Sequence, residues 1–184
     1  MQLDKAIQER KSTRKFNSKK PDYRDIIECI DAARYAPMAG GIYSPRFIVI
    51  DNPKTIELIS KACQQNFVKY AQFIVVVCSY MDKTLNSFEE QGEIYARQQA
   101  GAAIQNFLLK LQEKKLSTCW VGHFVERLIK QATGIPDNVP VEAVFPIGYE
   151  YRKEKPKSKV DLNVILFFNK YKNKQMTTPK TIDP

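Results

Sequence analysis

Phe73-Ile74-Val75-Val76-Val77-Cys78 is an unbroken apolar run of strand-forming residues. An alternating run would mark a strand wetted on one face. A run with no polar break predicts a strand buried on both. Such a strand needs a covering layer on each side, and the flanking sequence offers helices for both. Upstream, Arg46-Phe47-Ile48-Val49-Ile50 predicts a second strand stopped by Asp51-Asn52-Pro53, and a helix is expected from Lys54 to about Gln64. Downstream, Val141 to Tyr149 predicts a third clear strand, interrupted by Pro146 and so bulged or at an edge.

The helices follow from spacing. Leu3, Ala6 and Ile7 open a short helix, and Asp22 is placed to cap a second one carrying Ile26, Ile27, Ile30 and Ala33. That helix should stop near Ala36-Pro37, because the residue before a proline is pushed out of the helical region. A long helix from about Glu93 to Lys115 has Ala100, Ile104, Phe107, Leu108 and Leu111 on one stripe, read as core. Gly101-Ala102-Ala103 gives it a small surface for close approach by another helix. Cys119-Trp120-Val121 predicts a short strand ending at Gly122, and Val125 to Thr133 a helix closed by Gly134. Asp82 to Gly92 is polar and carries no clear assignment. After a basic linker from Arg152 to Lys159, Val164-Ile165-Leu166-Phe167-Phe168 predicts a strand that needs an edge to pair with, in its own sheet or a partner's. Helices among four or five strands indicate α/β or α+β architecture.

The 184 residues, 43% hydrophobic with 10 Pro and 7 Gly, fit one globular domain. No apolar stretch reaches membrane-spanning length and the first residues lack a secretory h-region, so a cytoplasmic protein is expected. Cys29, Cys63, Cys78 and Cys119 form no CxxC pair, and His123 is the single histidine. A zinc site or a histidine-based catalytic triad would therefore have to be built from scattered single residues. Trp120 reads as a core anchor, His123 as a surface or packing residue, and Phe88 and Tyr95 as ordinary packing.

Two segments suggest ligand chemistry. Arg10-Lys11-Ser12-Thr13-Arg14 puts three cations and two hydroxyls within five residues, enough to surround a small dianion with charge-assisted hydrogen bonds. The glycines form neither GxGxxG nor GxxxxGK[ST], so no other phosphate cradle competes with this run. The segment from Pro37 to Pro45 reads as an ordered loop in which Gly40-Gly41 permits unusual backbone angles. The formal charge of +9 also keeps nucleic-acid binding in play, although no helix-turn-helix, RNP or zinc-finger signature is evident.

Taken in order, five segments resemble the flavin-dependent nitroreductase family: Arg10 to Phe16, Ala36 to Val49, Ala103 to Leu109, Leu116 to Gly122, and Pro146 to Tyr149. The resemblance implies an α+β fold, with a central mixed or antiparallel sheet sandwiched by helices. It implies a homodimer with FMN at each subunit interface and the C-terminal strand exchanged with the partner. Residues 1–171 would form the single FMN-binding domain and 172–184 a short tail. Carried over by position, Arg10, Lys11, Ser12 and Arg14 would hold the FMN phosphate, with Lys159 joining them. Pro37, Met38 and Ala39 would cover the flavin from the other subunit, and Gln65 or Asn66 would meet the ring's polar edge. Val121 and Gly122 would offer backbone N–H groups near flavin N5 and O4.

The loop departs from the family pattern at Gly41 and Tyr43, where asparagine and glutamine are usual, and Pro45 stands near a common tryptophan. Tyr43 would either cap the flavin or pack at the dimer interface. The activity implied is a two-step cycle in which NAD(P)H reduces FMN and a small acceptor, such as a nitroaromatic or quinone, is reduced in the same pocket. Deiodinase-like and flavin-fragmenting chemistries share this cradle. A flavin-binding module with little turnover and a basic nucleic-acid-binding domain are the alternatives.

Overall fold

A computed structural model describes residues 2–176, so the end of the expected tail, 177–184, lies outside the described residues. Four strands form one antiparallel sheet: β1 (Pro45–Ile50), β2 (Phe73–Ser79), β3 (Ser117–Thr118) and β4 (Val141–Gly148), in the order β1-β2-β4-β3. β2 is buried along its whole length. Its side chains alternate between two cores, as the pleat requires. Phe73, Val75 and Val77 meet the layer of α2 (Tyr23–Ala33) and α5 (Glu90–Glu113), through Ile26, Cys29, Ala33, Ile104 and Phe107. Ile74, Val76 and Cys78 meet α3 (Pro53–Cys63) and α6 (Glu126–Thr133), through Ile56, Ile59, Ala62 and Ile129. The fold is thus α+β, with a helical layer on each face of the sheet.

Caps set the helix ends. Asp22 accepts from the Arg24 N–H and Asn52 from those of Lys54 and Thr55, while Gly134 closes α6 in the left-handed region at φ 73°. In α5, Phe107 lies 5.6 Å from Phe145 and 5.9 Å from Phe47, centroid to centroid, tying the helix to the sheet. A Cβ on Gly101 would meet open space, so the close approach of α2 is made by the buried Ala103 and not by that glycine.

Three expectations change. First, β4 is an inner strand despite Pro146. Ser117 pairs with Gly148, Thr118 with Ile147 and Val121 with Val144, all in one register, yet the ladder breaks at Cys119 and Trp120. Val144 exchanges both backbone bonds with Val121, so by alternation Pro146 also faces that side. It has no N–H to give to Cys119, and the expected Cys119–Val121 strand is reduced to Ser117–Thr118 plus one bridge. β4 does carry a bulge, though not at the proline: Val77 pairs with Ala143 and Cys78 with Val141, which leaves Glu142 of β4 as the extra residue. Second, Asp82–Phe88 is a helix, α4, folded back on α5. A Cβ at Gly92 would come within 2.6 Å of the Thr84 carbonyl oxygen and 2.7 Å of Leu85 Cα, so a glycine is needed where the two helices meet.

Third, Val164–Phe168 is not a strand. A one-turn helix, α7 (Leu162–Ile165), follows the N-cap Asp161, whose side chain accepts from the Asn163 N–H, a local bond that competes with extended pairing. Ile165 remains 62% exposed.

Gly92→Ala forces backbone against backbone, an overpacking that costs about 1–3 kcal/mol. Urea unfolding at matched protein concentration should show that loss; an unchanged midpoint would mean that α4 is not seated on α5.

Candidate functional site

The basic segment begins where α1 (Leu3–Glu9) ends and Arg10 turns extended, at φ −59° and ψ 126°. From there the chain runs along the open side of β3. The Thr13 N–H donates to the Thr118 carbonyl at 2.8 Å, Phe16 bridges Glu150, and the Asn17 N–H donates to the Tyr149 carbonyl at 2.9 Å. An extended chain sends successive side chains to opposite sides, and this sorts the cluster. Lys11 and Thr13 line a cavity of about 720 Å³ between α1, α5 and the stretch after Glu150. Ser12 and Arg14 face Cys119, and the Arg14 guanidinium sits 5.9 Å from the Phe67 ring centroid. Arg10, at the bend, lines the cavity and also exerts its field on Cys119.

The five-residue run is therefore not one cluster. Lys11 is held by Glu150 at 2.6 Å and by the Glu154 carbonyl, so its charge is already matched. Among the described residues, neither Arg10 nor Arg14 pairs with a carboxylate. Burial raises the Cys119 thiol pKa, and the Arg14 charge, the Ser12 hydroxyl and Arg10 offset only part of that rise. Lys159 is exposed in an irregular stretch and has no hydrogen bond or ion pair among the described residues; Lys153 and Lys155 are the tail cations beside Arg10.

Beyond Cys119, the Val121 N–H donates to the Val144 carbonyl at 3.0 Å and is not available to a ligand. This corrects the expected pair of amides: Gly122, exposed and outside the ladder, is the one left to offer an N–H. Trp120 packs edge-on against Phe145 at 5.5 Å but is 42% exposed, a partly open surface rather than the core anchor expected. His123 Nε2 lies 3.4 Å from Gln64 Oε1. Gln64, left-handed at φ 54°, closes α3 and leads into Gln65, whose carbonyl accepts from Ser60 Oγ at 3.2 Å. Sequence reasoning passed over Gln64, because a glutamine at a helix end carries no signal until its neighbour across the turn is known. Phe67 was missed for the same reason.

The second expected segment, Pro37 to Tyr43, lies elsewhere. Gly40 and Gly41 take φ 57° and 70°, inside a single 3-10 turn over Ala39–Gly41. Gly40 lies under the Phe88 ring, where a Cβ would approach Cζ to 2.9 Å. Phe88 is stacked edge-on with Tyr95 at 5.2 Å, so both rings do pack. Met38 rests on the core, and Tyr43 is half-buried between the fields of Arg46 and Arg34, with burial raising its phenol pKa. This loop enters β1 opposite Ser79, whereas the basic segment lies near Ile147 and Phe73. The two groups are at opposite ends of β2, about 20 Å apart for seven residues of strand.

The antiparallel sheet is thus covered by helices on both faces, with the basic segment running along its β3 side. A nitroreductase-family model matches residues 7–72 and 59–149, and the chain belongs to the nitroreductase family. It is 28% identical over 150 residues to an Archaeoglobus fulgidus protein named as an NADH dehydrogenase/NAD(P)H nitroreductase, covering 79% of this chain and 83% of that one. It is 23% identical over 189 residues to the iodotyrosine deiodinase of Thermotoga neapolitana, covering 88% and 95%. The structure of an iodotyrosine deiodinase bound to FMN and 3-iodo-L-tyrosine superposes with a TM-score of 0.77 at 19% identity, over 88% of this chain and 96% of that one.

All four cysteines are buried and unpaired. A thiol reagent at pH 8 should therefore label none of them in the folded protein and four per chain in denaturant. Rapid labelling of Cys119 under native conditions would show that the Ser12–Arg14 side of the site opens.

Proposed function

We propose that the chain binds FMN and uses NAD(P)H to reduce a small-molecule acceptor such as a nitroaromatic or a quinone. The observation that carries this reading is the gathering of Arg10, Ser12 and Arg14 around Cys119, a few residues from the free Gly122 amide. A phosphate monoester brings about −1.5 to −2 charge and three acceptor oxygens. Two guanidinium groups without carboxylate partners and one hydroxyl fit it in charge and in donor type. When bound, FMN supplies hydride acceptance and delivery, which removes any need for a protein nucleophile, a metal or a histidine base. Gly122 N–H is the backbone donor available to the polar edge of the ring; Gln65 follows Gln64, which meets His123, and Phe67 lies beside Arg14. Lys11 and Lys159 stand outside the anchor set, one matched by Glu150 and the other exposed, with no hydrogen bond or ion pair among the described residues.

The loop Pro37–Tyr43 is then the contribution of a second protomer. Its distance from the anchor along β2 supports a homodimer in which Pro37, Met38, Ala39, Gly41 and Tyr43 of one chain cover the flavin held by the other. Apolar side chains left in water, such as Leu3 (65% exposed) and Tyr35 (71%) beside a groove between α1, α2 and α5, offer surface for that contact. Residues 1–171 act as one unit in this reading, and exchange of the C-terminal segment is limited to its exposed apolar residues around α7. No helix among the described residues is long and apolar enough to cross a membrane, in keeping with a cytoplasmic reductase. The deiodinase relatives add halogenated phenols to the acceptors worth testing.

Fluorescence titration with FMN should give tight binding to the native chain. Arg10→Ala/Arg14→Ala removes two charge-assisted contacts of about 1.5–3 kcal/mol each and should weaken it at least about 100-fold. Lys11→Met should stay within about threefold of the native value. Unchanged affinity in the double variant would overturn the anchor. NAD(P)H oxidation over a panel of nitroaromatic, quinone and halotyrosine acceptors then separates a reductase from a flavin-binding module. Steeply salt-dependent nucleic-acid binding without flavin would favour the remaining alternative.

A further inference from the structure

Gln99 lies in the middle of α5, 4% exposed, facing the loop before β1. In the amide orientation that satisfies every neighbour, Nε2 donates to Ser44 Oγ at 2.9 Å and to the Ile42 carbonyl at 3.0 Å, and Oε1 accepts from the Ala39 N–H at 3.0 Å. All three partners belong to one six-residue segment, Ala39–Ser44. Its backbone-to-backbone bonds are short-range turns, Gly41 N–H to Met38 and Ile42 N–H to Ala39, until Ser44 joins the sheet end through the Tyr80 N–H. The Arg46 guanidinium adds bonds to the Tyr43 and Ser44 carbonyls at 3.0 and 3.3 Å, at the strand end of the segment only. Two successive glycines in the left-handed region give this segment a wide conformational choice. A buried carboxamide has a strong need for partners, and here the loop provides all of them.

We propose that Gln99 is a positioning residue: from inside α5 it fixes the Ala39–Ser44 loop, and so sets where Gly41 and Tyr43 stand over the cofactor. This rests on the flavin reading above for its consequence, but the pinning itself is a property of the chain without ligand.

Hydrogen bonding must be separated from mere filling of space. Gln99→Leu keeps the volume and removes all three bonds. Gln99→Glu keeps the shape, and burial raises the pKa of the new carboxyl. Protonated, it accepts from Ala39 and still donates to Ile42; ionised, it has no proton for that carbonyl and faces it with like charge. Hydrogen exchange of residues 38–44, taken as a ratio to the native chain at each pH from 5 to 8, reads the difference.

Gln99→Leu should exchange at least about 10-fold faster in this loop at every pH, with β2 unchanged, and bind FMN about 10-fold more weakly. Gln99→Glu should match the native loop at pH 5 and approach the leucine variant at pH 8. Should the leucine variant fail to fold, Ser44→Ala, which removes one bond of three, should show a smaller rise of about threefold. Native-like loop exchange in Gln99→Glu across the whole range, or in both other variants, would overturn the proposal. Failure of the native chain to bind FMN would sink the flavin reading while leaving the exchange test intact.

Discussion

The double burial of β2 is the constraint on which the rest of the molecule depends. Seven residues with no wet face oblige the chain to provide a helical layer on each side, and the two cores are divided by the pleat of that single strand. The layers also separate the possible ligand contacts. The end of β2 at Phe73 receives the N-terminal segment, and the end at Ser79 receives the glycine loop. Both groups are placed by the sheet before any ligand binds, which favours preorganisation over induced assembly.

Much of this was legible in the amino acids. β2, the capped helices α2 and α3, the glycine stop of α6 and the apolar stripe of α5 rest on local signals, each strong in its own window. What failed depended on partners. Cys119–Val121 has strand-forming side chains, but its ladder is decided by a proline on another strand. Val164–Phe168 has strand-like residues but pairs with no strand of this chain, and a local aspartate cap opens a helical turn there. Asp82–Gly92 looks polar because its packing is done by backbone, through a glycine, with few apolar side chains.

The candidate site divides in the same way. The basic run was visible as a charge cluster, yet charge counting cannot tell which cations remain available. Extended geometry decides that: Lys11 points to Glu150, while Ser12 and Arg14 point to Cys119. Val121 was placed correctly beside Gly122, but its N–H is spent on Val144, a fact that only register reveals. Gln99 carried no sequence signal at all. A glutamine on a long helix reads as solvent-facing until a loop is found against it.

Pro146 has an effect beyond the strand in which it sits. By withholding one donor it leaves Cys119 and Trp120 unladdered between two paired points, like a slack span of rope between two knots. The backbone that leads to Gly122 is thereby relieved of the pleat's strict alternation. Its course between Thr118 and Val121 is set by packing, while the sheet's ladder holds on either side. A residue usually regarded as a flaw in a β-strand here leaves the sheet one unladdered seam, just ahead of the exposed Gly122.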